Sequence, residues 1–439
     1  SGWRERHPDL VTMNQHFGRQ GYETIGLGKI YHGHTGEGID LENWSQWINV
    51  NAPDYALPEN IENLKAALEA NEVGTAHDPP KGPLTEMADV HDYTYIDGKR
   101  SQVAVETLKK LSKKKDQPFF FAVGLSKPHL PFVAPKKYWD LYNREDFTMP
   151  PNGKIPPGYP EHAANLAAHE MHKYSDYEGK IPTDFSDKLN RRLLHGYAAA
   201  TSYADACFGR IMDTLEETGL AENTIVVLWG DHGFKLGDHS TWVKHTNFEC
   251  DTRVPLIVRD PRIDGGKSTP RLVELIDLYP TLCDLTGIPT PSHCQGRSFT
   301  GLLTDPEAGH RIDAYSTYPA WKSLGHSIRI GNFRYTEWHE DETGEVIAKV
   351  LTNLKDDPGE ETNVIAEPKF AGQLVVAQER LALRISQSTA AKAKSAVPET
   401  VPISSTITIN PSEANLRQTI DGFGGSIAFW GTHADDEAL

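Results

Sequence analysis

The sequence predicts an α/β protein: a parallel-rich sheet flanked by helices, with a smaller α+β part toward its C-terminal end. Three observations carry this. Short apolar runs of strand length alternate with amphipathic helical patterns, the arrangement of βα units. Three of those runs end in polar Lys/His or Asp/His clusters. After residue 305 the alternation gives way to hairpin texture.

In chain order, Leu10 to Gln20 reads as a helix and Thr24 to Lys29 as a strand. Asp97 to Lys114 places Ala104, Leu108 and Leu111 on one helical face, and Phe119 to Leu125 is the strand after it. A long helix spans about Ser186 to Thr218, and strand Thr224 to Trp229 follows. Val254 to Val258 reads as another buried strand and Arg271 to Leu285 as another helix. Ser327 to Trp338 reads as a hairpin turning at Gly331-Asn332, with Glu345 to Leu354 as a third strand and a helix from about Lys369 to Ser386. Ser388 to Ser405, rich in Ala, Ser, Lys and Pro, reads as a linker, and Thr406 to Asn410 as a strand beyond it. The expected division is 1–305, 306–387, a linker 388–405, and a further module opening at 406–439.

The composition excludes several classes. The 439 residues carry 44 Lys+Arg against 61 Asp+Glu, a net charge of −17, where a nucleic-acid binder would show a basic face. No apolar run reaches the roughly 18 residues of a membrane helix. Cys207, Cys250, Cys283 and Cys294 match no zinc spacing, although Cys283 and Cys294 are close enough in sequence to pair. Lys109, Lys110, Lys113, Lys114 and Lys115 are the solvated last turn of a helix, favoured by its dipole.

The chemistry lies at the strand ends. Thr24 to Leu27 runs into Gly28-Lys29-Ile30-Tyr31-His32, Phe119 to Leu125 into Ser126-Lys127-Pro128-His129, and Ile225 to Trp229 into Gly230-Asp231-His232-Gly233. Singly, each has a plain reading: a solvent-exposed Lys, a turn His, an Asp-Gly turn. Ligands of open parallel sheets bind beyond the carboxyl ends of the strands, so three such ends point to one shared polar site. Asp231 and His232 offer oxygen and nitrogen to a divalent cation whose shell needs further carboxylates. The lysines would neutralise an oxyanion and a histidine would protonate a leaving alcohol. Together these describe hydrolysis of a sulfate or phosphate ester.

Gly230-Asp231-His232-Gly233, then Leu236-Gly237-Asp238-His239, Trp242-Val243-Lys244 and Arg253-Val254-Pro255-Leu256, closely resemble the sulfatase family. His232, Gly28 to His32 and Lys127-Pro128-His129-Leu130-Pro131-Phe132 resemble its iduronate-2-sulfatase-like branch. Tyr203-Ala204-Asp205, Gly209-Arg210, Arg334 to Trp338 and Asp357-Pro358-Gly359-Glu360 extend the match to about residue 385. The resemblance implies an alkaline-phosphatase-like fold that hydrolyses sulfate esters of carbohydrates, in a secreted or periplasmic setting. It implies a formylglycine made from Cys or Ser by a maturation enzyme, and calcium, or magnesium in its place. By position, Asp231 and His232 would be metal ligands. Lys29, His32, His129 and Lys244 would be catalytic, with His129 protonating the leaving oxygen, and Lys127 would touch substrate. His239 is expected to be structural.

The departures are equally specific. No cysteine stands in the family's Cys/Ser-x-Pro-x-Arg motif, and Ser268-Thr269-Pro270-Arg271 misplaces the Arg. The strand ending in paired Asp is also absent, because Asp356-Asp357 follows no suitable strand. Ser1 is therefore expected to lie about a hundred residues into the domain, and the chain alone to be inactive. The tail from Thr406 through Asp421-Gly422-Phe423-Gly424-Gly425-Ser426 resembles the opening of glucosylceramidase- and glucuronoxylanase-type glycoside hydrolases. That implies a bifunctional sulfatase/glycosidase acting on a sulfated glycan. The alternatives are phosphate or phosphonate monoester hydrolysis on the same scaffold, and a glycan-binding homologue without its nucleophile.

Overall fold

A computed structural model describes residues 3–31, 36–70, 79–160, 163, 169–177, 186–320, 322–395 and 418–421. His32, residues 406–410 and residues 422–439 lie outside the described residues. The strands used below are β1 (Glu23–Gly28), β2 (Gln46–Ile48), β3 (Phe119–Gly124), β4 (Thr224–Trp229), β5 (Leu256–Arg259), β6 (Asp313–Pro319), β7 (Ser323–Ile330), β8 (Phe333–Glu340), β9 (Val346–Asn353) and β10 (Gln418–Asp421). The helices are α1 (Met13–Arg19), α2 (Ile96–Leu111), α3 (Asp187–Glu217), α4 (Leu278–Thr286) and α5 (Ala371–Ser395).

The central sheet runs β2-β1-β3-β10-β4-β5. All neighbours are parallel except β4 and β5. β3 reads Phe-Phe-Phe-Ala-Val-Gly without alternation because both faces are covered. Phe119, Phe121 and Val123 pack with Ala104, Leu108, Ala199, Tyr203 and Ile211 of α2 and α3. Phe120 and Ala122 face the other way, toward Met13, Phe17, Leu278 and Leu282 of α1 and α4. Each buried aromatic or aliphatic side chain contributes roughly 1.5–3 kcal/mol, which holds the strand ends in fixed positions.

Several expectations are corrected. β5 is an antiparallel edge strand with Ile257 59% exposed, rather than a buried strand. Pro255 has no N–H for a ladder, and this permits the edge position. The helix expected over Arg271 to Leu285 begins only at Leu278. Glu274 and Asp277 form a reciprocal cap just before it, and Asp277 also accepts from Arg297 N. Helix α5 runs on to Ser395, through the start of the segment read as linker. Cys283 and Cys294 are free thiols. A helix at Pro58–Ala70 lies where no element was expected. Strand β10, from the tail, sits between β3 and β4.

The second sheet is antiparallel, in the order β6-β7-β8-β9. The expected hairpin is there, turning at Gly331 with φ 53°. Ala377 and Leu381 of α5 pack on Ile328, Tyr335 and Leu351. Arg384 bridges Asp313 and Glu274, so this sheet, α5 and the main domain share one ion-pair network. A second tie is Glu360, which accepts from Glu249 N at 2.6 Å and lies 3.2 Å from Arg334 Nε.

Burial pushes Glu360 up to about 6, against the opposing charge of Arg334. A raised carboxyl contributes stability below its unfolded value that is lost as pH rises through its folded value. Glu360→Gln is therefore expected to flatten the stability profile between pH ~4.5 and ~6 and to recover about 2 kcal/mol at pH 8 relative to pH 4. Urea unfolding across that range measures this. An unchanged slope would contradict it.

Candidate active site

The three predicted strand ends do converge. Gly28, with φ 81°, lets β1 turn, and Lys29 N donates to Gly124 O at 3.0 Å. A Cβ on Gly28 would stand 2.1 Å from Gly124 O, so only glycine brings β1 and β3 together here. Beyond β4, Asp231 and His232 follow, with Lys29 Nζ 3.5 Å from Asp231 Oδ2.

The segment after β3 is organised by Asp97, at 0% exposure. Its carboxylate accepts from Ser126 N at 2.9 Å and Lys127 N at 2.6 Å and pairs with Arg100 at 2.9 Å. Lys127 differs from expectation. Its ammonium is turned inward and donates to Pro131 O at 2.6 Å and His129 O at 3.0 Å. Burial brings it down to about 8. Lys127 thus fastens the loop that presents His129 and does not offer its charge to a ligand.

Lys244 arrives from a different direction. Lys235–Leu236 pairs antiparallel with Trp242–Val243, folding the chain back toward β4. Buried Lys235 anchors that return through Asp251 and Thr246. Val243 and His245 flank Lys244 with φ of 77° and 94°, unfavourable for side chains of this kind. The surrounding packing evidently fixes the position of Lys244.

At the centre, Lys244 Nζ lies 2.9 Å from His129 Nε2. Both meet Glu170: His129 Nε2 at 2.7 Å and Lys244 Nζ at 2.7 Å, with His245 Nε2 at 3.5 Å. Burial works to raise the Glu170 carboxyl, but His129 and Lys244 outweigh it and hold the group well below the usual carboxylate range. His129 Nδ1 faces Leu130 O at 2.8 Å. A carbonyl only accepts, so Nδ1 carries the hydrogen and Nε2 is the working nitrogen. The rings of His129 and His232 are 6.5 Å apart.

His232 Nδ1 donates to Gly233 O at 2.8 Å, leaving Nε2 as a lone pair 3.6 Å from Asp231 Oδ2. Burial pushes His232 down to about 4, against the attraction of Asp231, so it is neutral near pH 7. A neutral imidazole with its Nε2 lone pair available is the protonation state of a metal ligand. Among the described residues no set of three His, Cys, Asp or Glu side chains could hold a metal. Asp231 and His232 therefore supply two donors and do not by themselves enclose a cation.

His239, expected to be structural, is 1% exposed, stacks on Phe248 and bonds Gly359 O through Nε2 at 2.9 Å. His32 lies outside the described residues. Glu170, His245 and Asp97 were not anticipated. Glu170 belongs to no motif and His245 only follows one. Asp97 looks like an ordinary first residue of a helix.

The sulfatase family profile matches residues 3–288, and the profile for the C-terminal part of N-sulphoglucosamine sulphohydrolase matches residues 237–387. The chain is 30% identical to iduronate 2-sulfatase of Mus musculus, over 85% of this chain and 80% of that protein. In fold it is similar to a solved structure titled BT4656 in complex with its substrate D-glucosamine-2-N,6-O-disulfate. That likeness has a TM-score of 0.63 and 20% identity, covering 86% of this chain and 82% of that one. The phosphonate monoester hydrolase of Agrobacterium radiobacter is similar too, with TM-score 0.64 and 21% identity over 90% of this chain and 84% of that one. The fold is thus the alkaline-phosphatase-like one expected from the sequence. The chain belongs to the sulfatase family.

Proposed function

We propose that this chain carries the larger part of a site that hydrolyses sulfate esters of a carbohydrate. The observation supporting this is the meeting of Lys29, His129, Asp231, His232 and Lys244, from separate segments, at one edge of the sheet. Lys29 and Lys244 bind the sulfate oxygens. His129, with its hydrogen-bonded Nδ1 fixing the ring, gives a proton from Nε2 to the leaving sugar oxygen. Asp97 and Lys127 fasten the backbone that presents His129. Asp231 and His232 are two ligands of a divalent cation, calcium by resemblance. Sulfatases generally use such a cation together with a formylglycine, which supplies the nucleophilic oxygen. None of the 439 residues stands in a Cys/Ser-x-Pro-x-Arg motif.

Residues 1–305 and 306–387 form the catalytic and C-terminal parts in this reading, and 406–439 resemble a glycoside hydrolase-type module in sequence although residues 418–421 pair within the central sheet. The polypeptide is secreted or periplasmic, and a maturation enzyme installs the formylglycine. No described helix is long and apolar enough to cross a membrane. The likeness to a phosphonate monoester hydrolase favours phosphate or phosphonate esters as the second reading.

Purified residues 1–439 are expected to give no steady turnover of an aryl sulfate, while a polypeptide that also carries the missing motif turns it over faster than the matched aryl phosphate. Turnover by residues 1–439, or a preference for phosphate, would overturn the respective claim. A chain ending at residue 395, after α5, tests the tail: an unchanged melting temperature supports a separate module, and a large drop supports a role for β10 in the sheet.

A further inference from the structure

The carboxylate of Glu170 has no place in the chemistry above, yet it sits within it. Its two oxygens are taken by His129 Nε2 and Lys244 Nζ, the groups assigned to a sulfate ester, with His245 Nε2 nearby. The turn that carries it, His169–Lys173, is not a loose flap. Met171 and Tyr174 are buried against Leu84, Trp242 and Val243. Lys173 O accepts from Lys81 N at 2.7 Å, and Asp176 accepts from Leu84 N at 2.7 Å. Glu170 is therefore a fixed negative charge in a closed setting, its side chain 17% exposed.

Fixed charge sets what the cradle admits. The two ammonium groups, Lys29 and Lys244, already face two carboxylates, Asp231 and Glu170. A sulfate monoester brings one negative charge and a phosphate monoester two. Repulsion from Glu170 scales with the ligand's charge, and it is strong where water is scarce. We propose that Glu170 is a specificity-determining residue: its charge, held between His129 and Lys244, selects monoanionic sulfate esters over dianionic phosphate esters. This rests on the sulfate-ester reading of the same site.

The test uses residues 1–439 and two probes of matched shape, methyl sulfate and methyl phosphate, titrated by calorimetry at pH 8, where the phosphate is a dianion. The protein is expected to prefer methyl sulfate. Glu170→Gln, which removes the charge and keeps the shape, is expected to shrink that preference by about 10-fold or more, mainly through tighter methyl phosphate binding. Glu170→Asp keeps the charge and is expected to keep the preference. Lys244→Ala is expected to weaken both probes.

An unchanged ratio in folded Glu170→Gln, or equal weakening of both probes, overturns the proposal while leaving the site reading intact. A preference for methyl phosphate in the unaltered chain overturns it without any variant, so misfolding of Glu170→Gln does not shield it. If neither probe shows binding that depends on Lys244, the site reading itself fails, and the proposal with it.

Discussion

Replacing His129 by Ala is expected to slow hydrolysis of an alkyl sulfate by about 10²–10⁴-fold, the usual contribution of a positioned general acid. The measurement uses a polypeptide in which a Cys/Ser-x-Pro-x-Arg segment accompanies residues 1–439. The deficit should depend on the leaving group. A sugar or alkyl alkoxide must be protonated as it departs, whereas a nitrophenolate leaves unaided. Nitrophenyl sulfate turnover should therefore fall much less than alkyl sulfate turnover in the same variant. Equal losses on both would mean that His129 only shapes the pocket. Lys244→Ala should instead slow both substrates together, since in the proposed site it meets the sulfate whatever the leaving group.

The second large effect concerns stability. Asp97→Ala is expected to cost about 3–5 kcal/mol, because a buried charge pair loses one partner. The carboxylate is fully buried, so Arg100 and the Ser126 and Lys127 amides would lose their acceptor where little water reaches. Asp97→Asn keeps the shape and some of the acceptor capacity, and should cost less, about 1–3 kcal/mol. Urea unfolding of both variants checks the order. A loss below about 1 kcal/mol for Asp97→Ala would show that the pairing contributes little. Since the same carboxylate aligns the amides leading to His129, the Asn variant should also lose activity while remaining folded.

Both predictions rest on features of different legibility. Lys29, His129, Asp231 and His232 could be named from the sequence because each follows the end of an unmistakable apolar strand, whereas Lys244 was named only through the resemblance of its Trp242-Val243-Lys244 motif. The α/β class was readable for the same reason: β3 and β4 are continuous apolar segments, and α2 and α3 show helical periodicity. The boundaries were less legible. Helix α4 starts late because Asp277 is drawn into an ion pair with Arg311, far along the chain. Strand β5 turns outward because its environment is an edge. Lys127 was misread as a substrate contact because a lysine two positions before His129 gives no sign of which way its ammonium will turn. That direction is decided by the carbonyls of His129 and Pro131.

What the sequence alone determined, then, is the class of fold, the family and the residues at the strand ends, since these follow from local periodicity and short-range motifs. The tertiary structure decided the partners. Glu170 reaches His129 and Lys244 across 41 and 74 positions of chain. No local pattern records such a meeting. It arises because packing of Met171 and Tyr174 on the Trp242 return brings one carboxylate to His129 and Lys244, and the energy of that encounter depends on distance and burial rather than on sequence spacing.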